Sequence, residues 1–197
     1  MTIRSRSICA LLPLLALSCA DGNGPLYVDV EYNLTCPSSG GADCGSLAET
    51  CLGDFGNRTI VGAFGEVACT GDPIIATCEA VERADGSTSI TLEADLGGKF
   101  AFELRGATIE SGGSSIQGVA CNVAITEDEV RYNIGACGAA PPSMEQPCQL
   151  SNISVEGRDI AFDLQCDSIL SSTTNWAFDV GGVGGSATVR FENCTGL

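Results

Sequence analysis

The chain has 197 residues, with 25 acidic and 9 basic side chains, 12 cysteines and no histidine, and its formal net charge is −16. A chain this acidic repels nucleic acid and resists adsorption to anionic lipid head groups. The absence of His removes Ser-His-Asp and Cys-His catalysis and every imidazole base or ligand.

Arg4 and Arg6 stand ahead of an apolar run, Ile8 to Leu17, which Pro13 interrupts. A membrane-spanning helix needs roughly twenty apolar residues, so residues 1–20 read as a secretory signal. Two cleavage points compete. Ala16-Leu17-Ser18-Cys19 has the form of a lipobox, although Leu17 stands where the motif usually has its small residues and Ala16 where it usually has Leu. Cleavage there leaves Cys19 as a lipidated amino terminus. Ser18 and Ala20 also suit ordinary cleavage after Ala20, which would release a freely secreted, extracellular protein. Lipidation is the preferred reading, because Cys19 closes the apolar run and Asp21-Gly22-Asn23-Gly24-Pro25 follows as a short tether, residues 21–25.

Residues 26–197 read as a single β domain. Leu26, Val28, Val30, Tyr32 and Leu34 alternate with polar residues as one face of a first strand. Ser46-Leu47-Ala48-Glu49 has the form of a capping box and predicts one short helix near Ser46–Leu52. Strands follow near Ile60–Phe64, Ile74–Val81 and Thr88–Leu96. A three-residue loop, Gly97-Gly98-Lys99, sets Leu96, Ala94 and Leu92 opposite Phe100, Phe102 and Leu104 on one face. A four-residue loop over Thr126–Glu129 matches Ile125 with Val130 and Val123 with Tyr132. Another over Glu156–Asp159 matches Val155 with Ile160 and Ile153 with Phe162, and brings Cys148 to Cys166. A last hairpin joins Trp176, Phe178 and Val180 to Ala187, Val189 and Phe191 across Gly181–Gly185, with Trp176 in the core. The total is about ten to twelve short strands separated by Gly, Asp and Ser turns, which indicates an antiparallel β-sandwich or jelly roll.

Beyond Cys9 and Cys19 the cysteines are Cys36, Cys44, Cys51, Cys69, Cys78, Cys121, Cys137, Cys148, Cys166 and Cys194. An even set at this density in an exported chain predicts disulfides, and Cys148–Cys166 is the pair the strand register favours. No C-x-x-C spacing suggests a metal site, and no phosphate loop or dinucleotide fingerprint suggests a cofactor. The remaining catalytic possibility is a pair of carboxylates, and the Gly97 hairpin does set Glu93 opposite Glu103. Arg105 on the same face offers the simpler explanation, a solvated ion pair. Glu127-Asp128-Glu129 reads as an exposed acidic turn.

The lipobox-like end, the acidity, the Gly and Cys richness and the β pattern together resemble the small secreted lipoproteins of myxobacteria and related bacteria. That resemblance covers composition and organisation and carries no catalytic motif. The expected function is a non-enzymatic binding or structural module at the cell envelope, held to a membrane by its lipid anchor and facing a protein or carbohydrate ligand. The competing expectations are a carboxylate-dependent, glycosidase-like enzyme and a secreted protease inhibitor.

Overall fold

A computed structural model describes residues 24–37, 50–53, 56–110, 121–133, 136–171, 173–174, 176–181 and 186–196. The fold is all-β. Its strands are β1 (Tyr27–Thr35), β2 (Asn57–Ala63), β3 (Ile74–Glu82), β4 (Ser87–Leu96), β5 (Phe100–Glu110), β6 (Asn122–Glu127), β7 (Val130–Asn133), β8 (Cys137–Gly138), β9 (Cys148–Glu156), β10 (Asp159–Ser171), β11 (Ala177–Val180) and β12 (Ala187–Glu192).

All twelve belong to one hydrogen-bonded network, in which the order β11-β1-β12-β10-β7-β6-β5-β4-β3 is extended by β2 on β1 and by β9 and β8 beside β10. Its continuity comes from β10. The first part of that strand lies between β9 and β12, and its last residues lie between β11 and β7. A bulge between Cys166 and Ile169, with Ser168 at φ 54°, marks the change of neighbours.

The sheet wraps round its own apolar face. Strands β5 and β10 are three steps apart in the hydrogen-bonding order, which is about 14 Å along a flat sheet. Yet the rings of Phe102 and Phe162 have centroids only 6.4 Å apart. Tyr132 of β7 likewise meets Phe178 of β11 edge-on at 5.1 Å. The alternation seen in β1 therefore has a packing cause: Val28, Val30, Tyr32 and Leu34 all enter this core. Each fully buried Leu or Phe contributes about 1.5–3 kcal/mol relative to exposure.

The register of the Gly97 hairpin is as expected, with Leu96, Ala94 and Leu92 opposite Phe100, Phe102 and Leu104. The β9–β10 hairpin pairs Val155 with Ile160 and Cys148 with Cys166, but a bulge at Asn152, φ 50°, displaces Ile153 from Phe162. The β6–β7 turn is tighter than expected. Asp128 and Glu129, both at positive φ, form a two-residue turn that pairs Glu127 with Val130 and Ile125 with Tyr132. Positive φ at both central positions matches the twist of the flanking strands, and Asp accepts that conformation readily.

Two expectations are corrected outright. β11 and β12 do not form a hairpin. Both run antiparallel to β1 and to β10, one after the other in the gap between those strands, so they share a direction. Trp176 sits just before β11 and is 38% exposed, whereas Phe178 and Val180 are buried. The helix near Ser46–Leu52 is also not formed in its described part. Thr50 and Gly53 exchange backbone hydrogen bonds of 3.0 and 3.2 Å across a tight turn instead. Gly53 permits it, because a Cβ there would meet the Asn57 carbonyl oxygen at 2.4 Å. Ser46 and Glu49 lie outside the described residues.

Candidate functional site

The cysteines build the frame. Disulfides join Cys51–Cys69, Cys78–Cys194, Cys121–Cys137 and Cys148–Cys166, the last being the pair expected from the strand register. Cys36 is disulfide-bonded as well. Cys19 and Cys44 lie outside the described residues. Such disulfides are the mark of an oxidising compartment, outside the cell or in its envelope. Among the described residues, no three His, Cys, Asp or Glu side chains stand together to hold a metal ion.

The carboxylates have structural partners. Glu93 does lie opposite Glu103, but Glu103 is buried under two arginines. Arg131 grips both of its oxygens, with Nη2 donating to Oε2 at 2.8 Å and Nη1 to Oε1, and Arg105 Nη2 lies 3.0 Å from Oε2. Arg105 was legible in the sequence. Arg131 was not, because the four-residue loop displaced β7 by two residues. Hydrogen bonding from Arg131, ahead of its charge and that of Arg105, holds the Glu103 carboxyl below its ordinary value despite burial. A carboxylate so held is a poor proton donor, and its oxygens are already occupied.

Because Glu103 has a lowered folded-state pKa, its stabilising contribution is full above the ordinary value of 4.5 and is lost as pH falls through the lowered one. Glu103→Gln should therefore flatten the acid-side fall in stability. Urea midpoints measured across acidic pH check this, and an unchanged acid limb would contradict it.

Glu127 has a different place from the one its sequence suggested. It is buried on the core side, where Arg58 Nε donates to its two oxygens at 2.9 and 3.1 Å and Arg58 Nη2 adds a third contact. Arg58, only 1% exposed, also donates to the carbonyl oxygens of Asn57 and Gly53 at 2.7 and 3.3 Å and lies over the Phe100 ring. Burial keeps the Glu127 carboxyl above its ordinary value, outweighing the Arg58 hydrogen bond and charge. Burial, then the Glu127 charge, also pushes the Tyr32 phenol up, so that it stays neutral.

A concavity among the described residues lies elsewhere, at the seam between β2 and β3. At one end of the seam, Gly65 N donates to Ile74 O and Ile74 N to Glu66 O, each at 2.8 Å. Further along, the C-terminal segment lies against β3: Ala80 N donates to Thr195 O and Thr195 N to Cys78 O, each at 3.0 Å. Gly196 completes this contact at φ +87°, where a Cβ would meet Ala80 O at 2.1 Å. A pocket of about 270 Å³ opens beside the seam, walled by Leu52, Ile60, Val61, Ile74 and Leu96 and by the Cys51–Cys69 disulfide. Thr59 brings the one hydroxyl among its lining residues. No charged group lines it, so it selects for apolar matter.

No protein-family model matches the chain, and neither the curated proteins nor the solved structures contain a match to it.

Proposed function

We propose that this chain is an exported, lipid-anchored, non-enzymatic binding module of the cell envelope. The observation that carries the binding role is the seam pocket, an apolar recess fixed by a disulfide and by core residues of β2, β3 and β4. Its volume falls just below the roughly 300–1,000 Å³ of drug-sized ligand sites. That suits an apolar side chain offered by a partner protein, or a short alkyl group, better than a sugar. The basic leader and Cys19 support the anchor, and the disulfides suit the compartment.

Two measurements test the proposal. Intact mass of the protein from native membranes should show a chain starting at Cys19 and carrying acyl mass; a chain starting at Asp21 would sink the anchor. For the pocket, 1-octanol serves as the probe. It should raise the unfolding temperature saturably, and Ala68→Phe should abolish the effect, because Ala68 also lines the recess and the larger side chain would fill it. An octanol response that never saturates, or that survives Ala68→Phe, would sink the binding role.

A further inference from the structure

We propose that the β2–β3 connection is the face this domain lays against the membrane surface, a proposal that rests on the lipid anchor at Cys19. Its basis is the meeting of a group of exposed apolar side chains, close together in the chain, with the point where the tether joins the domain.

Five of the nine exposed large apolar side chains among the described residues lie in β2, β3 or the loop between them, and four of these, Val61, Phe64, Val67 and Ile75, stand at or near the loop, with Val81 at the far end of β3. Phe64 is 53% exposed and Val67 66%. Scattered apolar side chains need no explanation, but a group within one connection does. The loop is held in shape by Gly65 N to Ile74 O, by the Val67–Pro73 bridge and by the Cys51–Cys69 disulfide. These side chains are thus presented on a fixed support.

The amino-terminal segment arrives at this same place. Phe64 N donates to Leu26 O at 2.8 Å, and Asn193 Nδ2 donates to Pro25 O at 3.1 Å, so the strand leading back to Gly24 starts beside Phe64. Cys19 is five residues before Gly24. Fully extended, that stretch reaches at most about 18 Å. A lipid on Cys19 therefore keeps the bilayer surface within a short reach of Phe64 and Val67, and it removes most of the entropic cost of their contact with lipid.

Charge specifies the leaflet surface. From Thr59 to Val81 there is no Lys or Arg, while Glu66, Asp72 and Glu79 are acidic. The Glu66 carboxylate turns back onto Ala63 N at 3.0 Å. An anionic surface would be repelled, so the matching surface is zwitterionic.

The test uses the full lipidated protein reconstituted in phosphatidylcholine vesicles whose acyl chains are brominated near the head group. Phe64→Trp is placed in a Trp176→Phe background, so that the introduced indole is the chain's only one. Val67→Trp is a second reporter in case the first disturbs the Leu26 contact, and the fully exposed Met144 gives the control Met144→Trp. Fluorescence loss and a blue shift at Phe64→Trp or Val67→Trp, with neither at Met144→Trp and with less quenching when anionic lipid is added, is the expected result. Equal quenching at all three positions, or none, in a protein whose mass shows the lipid would overturn the docking face and leave the anchor standing. A mass showing cleavage after Ala20 would overturn both.

Discussion

Replacing Cys78 and Cys194 together by alanine is expected to lower unfolding stability by about 5 kcal/mol in the chain-entropy account of cross-links. The bridge spans 116 residues in sequence, against 18 for Cys51–Cys69, whose removal is expected to cost about 3 kcal/mol. The structure adds a reason for the larger effect. Cys78 belongs to β3 and Cys194 follows β12, so this bridge fastens the C-terminal segment at the seam, next to the Thr195 hydrogen bonds. Without it, the C-terminal segment is held against β3 by packing and by the Thr195 hydrogen bonds, two of them through the backbone and one from the Thr195 hydroxyl to Cys78 O at 3.0 Å. Urea unfolding of the two double variants side by side is the measurement. Equal losses would mean that the unfolded chain, or strain in the folded one, outweighs loop length.

The second large effect belongs to Arg58 and Glu127. Glu127→Leu should cost about 3–5 kcal/mol, because it takes a bonded carboxylate away from a buried guanidinium. The double variant Arg58→Met, Glu127→Leu should recover most of that loss, since apolar residues of similar size often replace a buried ion pair at little cost. The pair also has a pH signature opposite to that of Glu103. With its folded-state pKa raised, Glu127 contributes most below its ordinary value of 4.5, and this contribution falls as pH rises through the raised value. The double variant should lack that component. Equal losses in single and double variants would show that Arg58 matters through its bonds to Gly53 and Asn57 and its place over Phe100, not through Glu127.

The all-β class, most strand positions and the Cys148–Cys166 bridge were legible because period-two alternation fixes which residues share a face. Register was legible only where a loop's residues declared its length. Gly97-Gly98-Lys99 did so, and Glu93 and Glu103 fell opposite one another as expected. At Thr126–Glu129 the apolar matching tolerated either of two registers, since a shift of two residues keeps every side chain on its face. The tighter turn moves Glu127 out of a solvated loop and onto the core, and it brings Arg131 to Glu103. Arg58 gave no local sign of its burial, because its partner is 69 residues away. The β11–β12 hairpin failed for a related reason: a Gly-rich interval between two alternating runs fits a reversal and an interruption equally well, and only the pairing of both runs with β1 decides. The seam pocket had no sequence signature, since its walls are ordinary strand and loop residues at a place where two strands do not pair.

The place of β1 bears on how this chain acquires its shape. One edge of β1 takes β2, but the other takes β12 and then β11, strands made from the last part of the sequence. During synthesis, that second edge has no native neighbour until β11 and β12 have been made. Folding therefore cannot proceed outward from the amino terminus, and the long-range pairings put it among the slower topologies, in the millisecond-to-second range for domains of this kind. For that interval, the unpaired edge of β1 is the segment most exposed to pairing with another chain, and Asp29 and Glu31 along it are charges that oppose such pairing.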